Sequence, residues 1–219
     1  MVAVGLPVPP SSTRPEKPSL REPFGPLLIV VGMLAAMWVL EIIDLLPGVD
    51  LDGWGIEPRT WHGLIGIPLA PFLHAGLPHL IANTLPFLVL GAIIAIGDAA
   101  RFLEVTVTIV LVSGLGTWLF ASPGTFHLGA SGLVFGYLTY LVARGFFAGK
   151  PLWIVGGIVV ALFYGGLLWG LLPRPGISFT GHLFGALGGL LAAWVLHGPH
   201  SREDERSDLP DATRPVPRP

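Results

Sequence analysis

The chain has 219 residues, of which 52% are hydrophobic and only 12% are charged. Soluble domains carry about 25% charged residues, so this composition excludes an ordinary soluble domain and is typical of a membrane protein. The formal net charge of −2 excludes the basic face that a nucleic-acid-binding protein needs. The chain contains no cysteine, which excludes disulfides, cysteine-based metal centres and a thiol nucleophile.

Six apolar segments lie between two polar, proline-rich ends. Each is close to the ~20 residues that a helix needs to cross the hydrocarbon, and only helices satisfy their own backbone groups in lipid. We therefore predict an all-α polytopic membrane domain over residues 27–197, with disordered cytoplasmic tails at 1–26 and 198–219. The six predicted transmembrane helices are 27–46, 78–97, 100–120, 129–147, 151–172 and 178–197.

The long connection at residues 48–77 is not expected to span the membrane. It begins with the charged side chains of Asp50, Asp52, Glu57 and Arg59 and ends in an apolar run that contains Trp61. Charged side chains are costly in hydrocarbon, whereas tryptophan is enriched at the membrane surface. We expect the apolar part of this connection to lie at the interface.

Lysine and arginine are distributed unequally between the two sides of the predicted membrane domain. With the N-terminus inside, two lie on the outer side, Arg59 and Arg174. Ten lie on the inner side: Arg14, Lys17, Arg21, Arg101, Arg144, Lys150, Arg202, Arg206, Arg214 and Arg218. The positive-inside rule therefore predicts that both termini are cytoplasmic.

Polar side chains occur at the start of three predicted helices. His79 and Asn83 lie in the first turns of the second helix, Ser131 in the first turn of the fourth, and His182 in the first turns of the sixth. In the predicted topology these three helices all begin at the outer face, so the four side chains share a depth of roughly 5–10 Å. Polar groups within membrane spans mark functional sites.

These residue types form a set suited to nucleophilic catalysis. Ser131 is the candidate nucleophile and His182 its general base. His79 and Asn83, four residues apart, share one helix face and are candidate hydrogen-bond donors to an oxyanion, together with the backbone N–H of Ser131 at a helix N-terminus. Because no carboxylate is found at this depth, the sequence indicates a Ser–His dyad.

Small residues around the candidate dyad allow two helix backbones to approach closely. Gly129 and Gly132 flank Ser131, and Gly185 follows His182 by three residues. Each feature also has a simpler interpretation: Ser131 as a packing residue and His182 as an interhelical hydrogen-bonding residue. Their common depth with Asn83 favours catalysis. His127, in the loop just before Ser131, is expected near the mouth of the site and by itself is typical of an incidental loop histidine.

At these positions the chain resembles the rhomboid family of intramembrane serine proteases. The matching motifs are His79-Leu-Ile-Ala-Asn83, Gly129-Ala-Ser131-Gly132 and Gly181-His182-Leu-Phe-Gly185, in the family's order within a six-helix core. Ser131 would then be the nucleophile and His182 the base, and the Ser131 N–H, His79 and Asn83 would form the oxyanion hole. His74 would be a supporting loop residue, and Gly185 would let the sixth helix approach the fourth.

The chain departs from the family pattern at two places. Many bacterial members have a Trp-Arg pair in the first loop, whereas this chain has Arg59 and Trp61. Phe135 stands where the family often has a tyrosine that stacks on the catalytic histidine, so it offers a ring without a hydroxyl.

The resemblance implies cleavage of single-span membrane proteins near the outer face of the cell membrane, with the active site opening to the extracytoplasmic side. We expect no cofactor, no metal and no nucleic-acid partner, since a His-Glu-x-x-His motif and intramembrane carboxylates near the histidines are missing. Two alternatives stay open. One is a non-catalytic protein of the same fold that binds or escorts transmembrane helices. The other is a small transporter or channel, which fits poorly because the polar residues cluster at one depth and do not line a path across the membrane.

Overall fold

The computed structural model describes residues 25–96, 98–166, 172 and 176–198. These residues form seven α-helices, with two short 3-10 turns at Asp52–Trp54 and Ala70–Phe72. In chain order the helices are α1 (Gly25–Asp44), α2 (Trp61–Leu69), α3 (Leu77–Ala95), α4 (Ala99–Phe120), α5 (Ser131–Ala148), α6 (Pro151–Tyr164) and α7 (Phe179–His197).

Five of these helices, α1, α3, α4, α5 and α7, are long and apolar enough to cross a membrane. Their ends lie within two residues of five of the predicted segments, which confirms the all-α, multi-pass architecture. The predicted span 151–172 begins as α6, which has 14 residues, but residues 167–171 lie outside the described part of the chain. A sixth crossing therefore stays a prediction, and nearly all of both predicted tails also lies outside the described residues.

The helix boundaries follow from local capping chemistry. Thr60 caps α2 by accepting a hydrogen bond from the Gly63 N–H at 3.0 Å, and Asp98 caps α4 through the Ala100 N–H at 2.8 Å. Gly149 ends α5 in the left-handed region at φ 62°, where glycine avoids the steric cost of a Cβ. These caps satisfy backbone groups that a helix end otherwise leaves without partners.

Helix α5 is the centre of the bundle. Ten of its residues are buried, and it packs against α3, α4, α6 and α7. Helix α1 packs against α3. Tyr137 of α5 lies between the rings of Phe87 and Phe102, and its hydroxyl is 2.8 Å from the Thr106 Oγ1 of α4. Helix α5, which begins with Ser131, is therefore fixed by packing against several neighbouring helices.

The connection at residues 48–77 folds over the end of α4 at which the chain turns toward α5. Arg59, at φ 61°, donates from its guanidinium to the Leu119 carbonyl at 2.8 Å, and Trp118 Nε1 donates to the Thr60 carbonyl at 2.8 Å. Trp61 is 86% exposed, and it opens the apolar helix α2. An exposed tryptophan there agrees with the expected interfacial location.

Candidate active site

The Ser131 hydroxyl and the His182 imidazole lie within hydrogen-bonding distance. Ser131 is the first residue of α5, His182 lies in the first turn of α7, and the distance from His182 Nε2 to Ser131 Oγ is 2.8 Å. The two residues are 51 positions apart in the chain, so the packing of two helices brings them together. This is the distance at which an unprotonated imidazole nitrogen accepts the proton of a serine hydroxyl.

Glycines permit the close approach of α5 and α7. A Cβ at Gly185 would overlap the carbonyl group of Gly132, and a Cβ at Gly189 would overlap the Gly136 carbonyl oxygen. The backbones of the two helices therefore touch, as in small-residue packing between membrane helices. Gly132 and Gly185 have the close contact that the sequence predicted.

The ring of Phe135 stacks on His182. Their centroids are 4.3 Å apart with an interplanar angle of 16°. Phe135 follows Ser131 by one helical turn, so α5 supplies both the hydroxyl and the surface that orients the imidazole. The structure thus shows ring stacking without the hydroxyl of the family's tyrosine.

The N-terminus of α5, where Ser131 lies, has no side-chain cap. Ala130 precedes the helix and provides no side-chain cap, and Gly129 has a φ of 113°. The first N–H groups of a helix have no intrahelical acceptor, and they carry the positive end of its dipole. The Ser131 N–H is therefore one of the donors available for a negative oxygen beside the hydroxyl.

His79 and Asn83 line the same cavity as the dyad. The His79 ring lies over Gly129, where an added Cβ would be 2.8 Å from His79 Nε2. Asn83 is 6% exposed, and its Nδ2 donates to the His79 carbonyl at 3.1 Å. This bond occupies one of the two N–H donors of the Asn83 amide.

His74 supports the turn that precedes Ser131. It is 2% exposed, and its Nε2 accepts the Ala130 N–H at 3.2 Å. Its ring also lies edge-on to that of His79 at 5.1 Å. Burial, and secondly the proximity of His79, lower the pKa of His74 to about 4, so the ring is neutral at pH 7 and keeps this acceptor.

A cavity of about 710 Å³ leads to these residues. Its lining includes Ser131, His182, His79 and Asn83 together with the apolar side chains of Phe126 and Ile177. A second space of about 40 Å³ also borders Ser131, between α4, the start of α5 and the connection at residues 48–77.

Three polar residues near the site were not identified from the sequence. Ser113 of α4 donates from Oγ to the Gly181 carbonyl at 2.9 Å, and Ser178 caps α7 through the Gly181 N–H at 3.2 Å. Thr125 bonds His127, which itself lines the cavity. A serine directly before a predicted helix is a capping signal, so Ser178 was the one that the pattern could have revealed.

The chain is similar to known proteins over most of its length. A family model described as Rhomboid domain matches residues 59–199. An uncharacterised protein of Mycobacterium tuberculosis (strain ATCC 25618 / H37Rv) is 41% identical over 203 residues, 86% of this chain and 85% of that protein. An uncharacterised Mycobacterium leprae (strain TN) protein is 39% identical over 182 residues, which are 79% of this chain and 72% of that protein. A Bacillus subtilis (strain 168) protein provisionally named rhomboid protease YdcA is 28% identical over 181 residues, which are 76% of this chain and 87% of that protein.

Proposed function

The chain belongs to the rhomboid family, and we propose that it is an intramembrane serine endopeptidase that works through a Ser131–His182 dyad. Rhomboid proteins are multi-pass membrane proteins and generally serine proteases, and they act on membrane-protein substrates within the bilayer. The observation that carries the proposal is the 2.8 Å separation of Ser131 Oγ and His182 Nε2 at the ends of two apolar helices.

The reaction is peptide-bond hydrolysis in two stages. Ser131 Oγ attacks the scissile carbonyl while His182 Nε2 takes its proton, and the tetrahedral intermediate collapses to an acyl-enzyme as His182 returns the proton to the leaving amine. Water, activated by the same imidazole, then releases the acyl group. The chemistry uses the neutral form of His182 and needs no cofactor.

The oxyanion is held by the Ser131 N–H with the His79 and Asn83 side chains. Asn83 Nδ2 donates one N–H to the His79 carbonyl and offers its second N–H to the oxyanion when substrate binds. Aligned donors of this kind contribute about 10²–10³ in rate for each donor. The helix dipole of α5 adds to the positive potential at that point.

The substrates are single-span membrane proteins, cleaved near the outer face. Arg101 at the start of α4, Arg144 near the end of α5 and Lys150 before α6 lie at the helix ends remote from Ser131. By the positive-inside rule those ends face the cytoplasm, so the cavity opens to the extracytoplasmic side. The space of about 40 Å³ beside Ser131 suits the small residue before the cut that the family resemblance implies.

Labelling with a fluorophosphonate serine-hydrolase probe tests this proposal. We expect the purified wild type to be labelled, and labelling to disappear in Ser131→Ala and in His182→Ala. Ser122→Ala and His62→Ala, on exposed sites outside the dyad, are the matched controls and should label as the wild type does. A folded wild type that neither labels nor cleaves a model transmembrane substrate would favour the non-catalytic helix-binding alternative.

A further inference from the structure

A second Ser–His hydrogen bond lies close to the dyad, between the residues four positions before Ser131 and four positions before His182. His127 Nδ1 is 2.8 Å from Ser178 Oγ, and both residues line the large cavity. His127 precedes Ser131 by four residues, and Ser178 precedes His182 by four. The outer pair therefore joins the same two chain segments as the dyad, with the serine and the histidine exchanged between them.

The neighbouring contacts define the direction of every hydrogen bond in this outer pair. Thr125 Oγ1 donates to the Ser122 carbonyl at 2.6 Å, so it accepts from His127 Nε2–H at 2.8 Å. This leaves His127 Nδ1 without a proton, as the acceptor of the Ser178 hydroxyl. Burial lowers the pKa of His127, which favours the neutral ring that this chain of bonds requires.

Both members of the outer pair are held by backbone contacts. His127 exchanges two hydrogen bonds with Ile56 of the first loop, at 3.0 and 2.9 Å. Ser178 Oγ accepts the Gly181 N–H as the cap of α7, and the Ser178 carbonyl accepts the His182 N–H at 3.0 Å. The bond between the two side chains therefore ties a fixed loop to the first turn of α7.

The glycine contacts alone do not fix that first turn. Gly132 against Gly185 sets the separation of α5 and α7, and the bond from Ser113 to the Gly181 carbonyl restrains the same turn from the side of α4. A hydrogen bond restrains both distance and angle. The His127–Ser178 bond adds a restraint from the loop that leads to Ser131, one turn ahead of His182.

We propose that His127 and Ser178 are positioning residues, whose hydrogen bond holds Ser131 Oγ and His182 Nε2 at reacting distance. The inference rests on the proposed protease function. We assign Ser178 the role of a helix cap, since its oxygen accepts the Gly181 N–H. Misplacement of reacting groups by about 1 Å costs about a hundredfold in rate, so the loss of this restraint is measurable in kcat.

The test compares variants that break the bond with one that keeps it. His127→Phe retains a ring without an acceptor, and Ser178→Gly removes the hydroxyl while glycine remains an acceptable cap residue. Ser178→Thr keeps both the hydroxyl and the cap. His62→Phe is the matched histidine control, since His62 lies in the exposed part of α2. The readouts are kcat and KM on a transmembrane substrate, the rate of fluorophosphonate labelling, and the unfolding temperature.

We expect kcat and the labelling rate to fall about tenfold or more in His127→Phe and in Ser178→Gly, with KM unchanged within about twofold. Ser178→Thr should retain activity, and the double variant should be no worse than the poorer single variant, because both single variants remove the same His127–Ser178 bond. Should His127→Phe fail to fold, His127→Leu takes its place, since a leucine side chain also lacks an acceptor and leaves the Ser178 cap of α7 intact.

Three results would overturn the proposal: unchanged kcat in the bond-breaking variants, an effect confined to KM, or losses that multiply in the double variant. Labelling of the wild type that is absent in Ser131→Ala establishes the dyad independently, so a failure of the outer pair is then separate from a failure of the protease function. A wild type without labelling or cleavage would overturn both.

Discussion

The contact of Gly185 with Gly132 offers a quantitative test of how closely the two helices must approach. Gly185→Ala adds a single methyl group to α7 at the point where it touches the α5 backbone. In an exposed helix the same change raises stability by up to about 1 kcal/mol, because alanine is the better helix former. At this position we expect the opposite sign.

The size of the effect follows from the distances at the contact. The added Cβ would lie 2.9 Å from the Gly132 carbonyl carbon and 3.0 Å from its Cα, with the carbonyl oxygen nearer still, whereas ordinary contacts begin at 3.4 Å. Relief of this overlap moves α7 outward by about 1 Å, because close-packed backbones cannot absorb it locally. The Ser131–His182 separation then rises from 2.8 Å to about 3.8 Å, beyond hydrogen-bonding range.

We therefore expect Gly185→Ala to lower kcat about a hundredfold and to destabilise the protein by about 1–3 kcal/mol. The assay is cleavage of a transmembrane substrate in detergent micelles, with thermal unfolding measured on the same preparation. Gly156→Ala in α6, where an added Cβ meets nothing within 4 Å, is the matched control and should keep full activity. A Gly185→Ala protein as active and as stable as the wild type would refute the reasoning from backbone contact.

Two further predictions concern His74 and Asn83. The pKa of His74 is about 4 in the folded protein against an ordinary 6.5, so between these values the unfolded chain binds a proton that the folded one does not. Stability should therefore decrease by up to about 3 kcal/mol as the pH falls from 6.5 to 4. His74→Gln keeps an acceptor for the Ala130 N–H and should weaken this dependence in unfolding temperatures measured against pH. Asn83→Ala should lower kcat about 10²-fold with KM nearly unchanged, since the donor acts on the transition state.

Each of these predictions has an internal comparison. An unfolding temperature that varies with pH equally in His74→Gln and in the wild type would show that His74 does not titrate as inferred. For Asn83 the control is its neighbour Thr84, whose hydroxyl accepts from Trp38 Nε1 at 3.2 Å and so faces α1. If Thr84→Val lowers kcat as much as Asn83→Ala does, the effect is structural rather than an oxyanion contact.

Much of the architecture was predictable because membrane spans are long and chemically uniform. Five predicted segments agree with helices to within two residues, since their limits coincide with prolines, glycines or charged side chains. The dyad was predictable for a related reason: a serine and a histidine in otherwise apolar helices are conspicuous. That Ser131 and His182 meet at 2.8 Å follows from helix packing, and the glycines near them were its sequence signal.

The remaining contacts have no local pattern. His127 and Ser178 are 51 residues apart in two loops, and neither position carries a periodicity that would predict their bond. The rotation of Asn83 toward the His79 carbonyl is likewise a choice among side-chain rotamers that a one-dimensional pattern does not contain. The left-handed conformation of Arg59 depends on its bonds to Trp118 and Leu119, which are distant in sequence.

The absence of acidic residues from α3, α5 and α7 explains why the site depends so strongly on helix packing. A carboxylate bonded to the imidazole would orient His182 through a charge, whose attraction weakens only slowly with distance. Among the contacts of the described residues, stacking on Phe135 and the backbone contact at Gly185 contribute to this orientation, and a gap of about 1 Å removes up to half of such a contact energy. Contacts of such short range place a strict demand on the positions of the helix ends, and the outer His127–Ser178 bond restrains one of those ends, one turn before His182.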